Sequence, residues 1–98
     1  MPLKEKYNFD YLFNEAENYI LSELEKQLEK DSNVCKCEDC ILDMAAYALN
    51  KVQPLYRASL LGRLYTHSLH KGDYEKRIKA AVQSAIKKVS ENPMHLEE

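Results

Sequence analysis

The chain has 98 residues, of which 45% are hydrophobic and 31% charged, with a net charge of -2. That describes one domain with a thin core, too short for two, and a net charge of this sign argues against a surface that tracks nucleic-acid phosphates. Only 2 glycines and 3 prolines leave few turns, which favours long helices over a many-stranded sheet.

The opening MPLKEKYNFD has charges but no apolar run behind it, so no signal peptide is expected. No window approaches a membrane span. A cytoplasmic location, where thiols stay reduced, is the expectation. Charge is unevenly spread: residues 1–31 hold eight acidic and four basic groups, and residues 54–90 hold eight basic and two acidic groups. A basic segment within an acidic chain is either an anion site or a solvated helix face.

The periodicity predicts a first helix over 8–30. Phe9, Leu12, Phe13, Ala16, Tyr19, Ile20, Leu24 and Leu28 recur at three- and four-residue steps. Asn8 or Asp10 can cap it, and Glu15, Glu17, Glu25 and Lys26 fall on its wet side. Its stripe is broad and aromatic, enough to serve a second subunit in part. Asp31-Ser32-Asn33 ends this helix. A second begins near Glu38 or Asp39 and ends near Asn50, with Ile41, Leu42, Met44, Ala45, Ala48 and Leu49 as its apolar face. Pro54 stops it, because the residue before a proline disfavours the helical region.

Residues 55–70, LYRASLLGRLYTHSLH, fit both strand alternation and helical spacing. We read them as an extended arm with one short strand. A lone strand needs a partner. With no other strand expected, that partner would be the same strand of another subunit. Lys71-Gly72 reads as a turn and Asp73 as the cap of a last helix. Its apolar face is Ile78, Ala81, Val82, Ala85, Ile86 and Val89, and Asn92-Pro93 closes it. The expected fold is a single mainly α domain over 1–98, with three main helices and a short arm or strand at 55–70.

All three cysteines lie in CKCEDC, as Cys35, Cys37 and Cys40. This C-x-C-x-x-C spacing lets three thiolates converge on one tetrahedral ion. Cys40 falls in the first turn of the second helix, where exposed amides and the helix dipole favour a thiolate. The pattern points to structural zinc; a redox pair such as Cys37 and Cys40, or three uncoordinated thiols, is the alternative. A closed site needs a fourth ligand, for which His95, His67, His70, Asp39 and Glu97 are candidates. His95 lies just past the last helix and would tie the C-terminus to the junction of the first two helices.

The run CKCEDCILDMAAYALNKVQPLYRASLLGRLYTHS resembles the late competence protein ComFB family. The resemblance is carried by Cys35, Cys37, Cys40, Asp43, Ala48, Leu49, Asn50, Lys51, Pro54, Tyr56 and Ser59. It continues more weakly to Ser90-Glu91-Asn92-Pro93, while the first helix matches in kind only. It implies a mostly helical fold, a symmetric homodimer with an exchanged arm, and a zinc held by cysteines. Some members have a fourth cysteine near the C-terminus; here Met94-His95-Leu96-Glu97-Glu98 stands instead, which makes His95 the replacement.

The resemblance further implies a receptor for a cyclic dinucleotide, cyclic di-GMP or cyclic di-AMP. Its site residues would be Asn50, Pro54, Leu55, Tyr56, Arg57, Ser59 and Arg63. The chemistry is compatible: Arg57 and Arg63 can pair with phosphate, Tyr56 offers a stacking face, and Ser59 can donate to oxygen. Without the resemblance, Pro54 would only stop a helix and Tyr56 would be a core or dimer contact. The competing expectation is a protein-interaction module of a competence or surface-machinery pathway, with an unknown protein partner and no small ligand. No nucleophile-base pairing, phosphate loop or H-E-x-x-H pattern points to an enzyme.

Overall fold

The computed structural model describes residues 2–58 and 72–92. Its three long helices are α2 (Ala16–Glu29), α3 (Glu38–Leu49) and α4 (Asp73–Glu91). A short helix α1 (Leu3–Lys6) and a 3-10 turn (Phe9–Tyr11) precede them. Two two-residue strands, β1 (Phe13–Asn14) and β2 (Tyr56–Arg57), complete the described elements. No helix is long and apolar enough to cross a membrane among the described residues.

Each long helix buries a stripe. On α2 it is Ala16, Ile20, Leu24 and Leu28, a clean four-residue step. On α3 it is Cys40, Met44 and Ala48. On α4 it is Tyr74, Ile78, Ala81, Val82, Ala85 and Val89. The stripes meet in one core, closed at one end by Val52 and Leu55 from the segment after α3. The Tyr74 hydroxyl donates to the Gln53 carbonyl at 2.7 Å, which ties the first turn of α4 to that segment. Tyr19 meets the Tyr74 ring edge-on at 6.4 Å.

The first long helix starts later than its periodicity suggests. Phe9 and Leu12 satisfy the helical step, yet they lie in and after a 3-10 turn and are exposed. Asn8 does cap, but it caps that turn, accepting from the Asp10 N–H at 2.9 Å. Phe13 and Asn14 are drawn into antiparallel pairing with Arg57 and Tyr56, and this tertiary partner overrides the local preference.

The same pairing corrects the expectation that the chain holds no other strand: β2, at the start of the 55–70 stretch, pairs with β1 of the same chain. The rest of the expected arm, 59–70, lies outside the described residues. Leu42 is also reassigned: it is 58% exposed, and Cys40 takes its place on the buried stripe. The cap of α4 is Gly72, at φ +51, with Asp73 inside the first turn. A left-handed backbone angle there suits glycine and strains any other residue.

Helix stripes make a simple prediction. Ile20→Ala, at a fully buried site, should cost about 2–5 kcal/mol in urea unfolding, whereas Leu21→Ala, at a half-exposed neighbour, should cost under about 0.5 kcal/mol.

Candidate functional site

Two constellations sit at opposite ends of α3. The cysteine cluster is at its N-terminus and the Asn50–Arg57 segment leaves its C-terminus. Twelve helical residues separate them, about 18 Å at 1.5 Å per residue.

The approach to the cysteines is set by a turn in which the Asn33 N–H donates to the Asp31 carboxylate at 3.1 Å. Val34 then packs against the core. Cys37 is the N-cap of α3: its backbone is extended, and its Sγ accepts from the Cys40 N–H at 3.4 Å. The sulfurs of Cys35, Cys37 and Cys40 all lie within 4.8 Å of one another. A tetrahedral ion with metal–sulfur bonds of about 2.3 Å needs sulfurs about 3.8 Å apart, so a contraction of about an ångström closes the set. Cys35 and Cys37 are exposed and Cys40 is buried.

Burial pushes the Cys40 thiol up to about 12, helped by hydrogen bonding and charge repulsion from Cys37 and Cys35. Crowding of this kind disfavours three bare thiolates. A bound cation reverses it, because the positive charge stabilises all three at once. These residues therefore fit a metal ion, and they form the metal-competent cluster among the described residues. Beside them is a cleft of about 150 Å³ lined by Asn33, Cys35, Cys40, Met44, Val89 and Ser90. The C-terminal end of α4 thus reaches the cluster. Asp39 is exposed on the first turn of α3. His67, His70, His95 and Glu97 lie outside the described residues.

At the other end, Asn50 caps α3 and is exposed, as is Pro54. Leu55 is core, 3% exposed, and its backbone is held from both sides. Its N–H donates to Asn14 Oδ1 at 2.6 Å and its carbonyl accepts from the Glu15 N–H at 2.7 Å. Tyr56 and Arg57 then diverge. Tyr56 is 62% exposed. The Arg57 side chain is largely buried: its Nε donates to Glu15 Oε2 at 3.0 Å, and its guanidinium lies 4.0 Å from the centroid of the Phe13 ring. Ser59 and Arg63 lie outside the described residues.

Sequence reasoning put Glu15 on the wet face, yet it is the buried charged residue among those described. It and Asn14 are partners that no local window could reveal, because Leu55 and Arg57 lie 41 and 42 positions away. The sequence carried no signal for this pairing, because the burial of Arg57 and Leu55 that calls for a carboxylate is itself a property of the folded chain.

The family model for late competence development protein ComFB matches residues 13–93. The match begins at the first residue of β1, so it takes in the first long helix, Asn14 and Glu15 with their partners Leu55 and Arg57, and the cysteines, more than the motif run alone suggested. Among solved structures, the chain is similar to the late competence protein ComFB from Bacillus subtilis. The identity is 26% and the TM-score 0.69, over 89% of this chain and 99% of that one. No curated protein matches the chain.

Adding zinc to reduced, metal-stripped protein is expected to bind one equivalent and raise the Tm by about 10 °C, roughly 2 kcal/mol for a domain of this size. Cys40→Ser should abolish most of that rise in the same thermal scan.

Proposed function

The chain belongs to the late competence development protein ComFB family, and from that premise we propose that it is a non-catalytic regulatory protein, a zinc-stabilised homodimer that binds a cyclic dinucleotide. The single observation that carries the ligand reading is Tyr56. A large aromatic ring stands 62% exposed on a backbone pinned by core contacts on both sides of Leu55. An exposed ring on a rigid support is a stacking platform for a flat base.

The site would run from Asn50 and Pro54 through Leu55 and Tyr56 to Ser59 and Arg63. Leu55 anchors it from the core, and Ser59 and Arg63 supply the hydroxyl and guanidinium for phosphate. Arg57 belongs to the frame of the site, since Glu15 and Phe13 already hold its guanidinium. The segment 59–70 would carry the second half of the site and the exchange between subunits. A two-fold symmetric ligand suits such a dimer.

Zinc would be held by Cys35, Cys37, Cys40 and His95. Ser90 lines the cleft beside the cysteines, and five residues of chain span at most about 17 Å, enough to return His95 to the cluster. The metal's work is structural: it would pin the turn between α2 and α3 and the end of α4, about 18 Å of helix away from Tyr56. A reducing cytoplasm suits such a thiolate set.

A second reading, an interaction module without a small ligand, is favoured by one feature. Leu3, Tyr7, Phe9, Tyr11 and Leu12 are all exposed, and they precede the family match. Calorimetric titration of metal-loaded protein with cyclic di-GMP and with cyclic di-AMP separates the two. The receptor reading expects binding of at least one ligand, weakened about tenfold or more by Tyr56→Ala, or ~1.4 kcal/mol. Absence of heat with both, in folded protein, would sink the receptor reading and leave the interaction module.

A further inference from the structure

Tyr56 and Arg57 are adjacent on a strand, so their side chains point to opposite faces. Whatever fixes Arg57 on the inner face therefore fixes the direction of the Tyr56 ring on the outer one. A two-residue ladder cannot do this by itself, because an isolated strand pair of that length is marginal in water.

Glu15 supplies what the ladder lacks. Its N–H holds the Leu55 carbonyl at 2.7 Å, and its Oε2 accepts from Arg57 Nε at 3.0 Å. Its other oxygen accepts from the Asn18 side-chain amide at 3.2 Å. The residue itself stands directly before Ala16, which is fully buried at the start of α2. One residue thus connects the start of a core helix to both residues that flank Tyr56, through its backbone N–H to Leu55 and through its carboxylate to Arg57. The pair is also neutral as a unit, so it adds little positive field for a phosphate.

We infer that Glu15 is a positioning residue of the ligand site, acting through Arg57 to aim the Tyr56 ring; this rests on the receptor reading above. Glu15 touches no ligand. Its contribution is preorganisation: the ring is held in its binding direction before the ligand arrives, so less ordering remains at the binding step.

The test is titration of cyclic di-GMP and cyclic di-AMP into wild type, Glu15→Leu, the Glu15→Leu/Arg57→Met pair, and Glu15→Gln, with a thermal scan of each. Glu15→Leu leaves a buried guanidinium without its carboxylate and should weaken binding about tenfold or more. The double variant fills the same space without a buried charge and should recover to within about threefold of wild type. Glu15→Gln retains an acceptor for Arg57 Nε and is the variant safest for folding; it should also stay within about threefold. Three results overturn the inference while leaving the receptor reading intact. One is wild-type binding by Glu15→Leu. Another is a cooperatively folded double variant no better than the single one. The third is binding by Glu15→Gln about tenfold tighter than wild type, which would make Arg57 a phosphate contact that Glu15 masks. A wild type that binds neither nucleotide defeats the receptor reading and the inference with it.

Discussion

The Asn14 side-chain oxygen accepts two backbone N–H groups at once, from Leu55 at 2.6 Å and from Ala16 at 3.1 Å. The second bond satisfies an N–H at the start of α2, one of the orphan donors every helix start leaves. The first pins a segment 41 residues later to that same point. With Glu15 holding the Leu55 carbonyl and the Arg57 guanidinium, two consecutive side chains and one N–H decide where α2 begins, where the chain goes after α3, and which way Tyr56 faces. Leu55 could not otherwise be buried, because its backbone groups would enter the core without partners.

α3 distributes the remaining work between its two ends. Its N-terminus gathers thiols, with Cys37 as cap and Cys40 on the buried stripe, so the same residue that faces the core also belongs to the metal-competent cluster. Its C-terminus hands the chain to the segment held by Asn14 and Glu15. A small domain has a thin core, and a metal bound at one end, with the hydrogen bonds of Asn14 and Glu15 at the other, would stabilise both ends of the helix that joins them. The end of α4 lines the cleft by the cysteines, so the metal would also tie the last helix to that frame.

The helical half of this architecture was legible in the sequence, because period alone reports it. The face of α4 and the bounds of α3, from Glu38 to Leu49, follow from apolar spacing and from Pro54. The cysteine cluster was legible because its three members lie within six positions. What period could not report was competition. Residues 9–13 carry a helical stripe, yet Phe13 and Asn14 find a better partner at 56–57. Glu15 looked solvated because its partner lies 42 positions away. Likewise, nothing local announced β1 as a strand, since its partner is at 56–57. Long-range polar pairing leaves no mark in a local window, and here it determines the geometry around Tyr56.

On the proposed reading, Tyr56 is held outward to receive a ligand, at the end of α3 opposite the cysteines. The most direct measurement is a nuclear magnetic resonance titration of zinc-loaded protein with cyclic di-GMP and with cyclic di-AMP, followed at assigned backbone and tyrosine ring signals. The account predicts saturable shifts centred on Tyr56 and its neighbours from Asn50 to Arg57, with Cys35, Cys37 and Cys40 unmoved. Shifts confined to the cysteine end, or none with either ligand at saturating concentration, would contradict it.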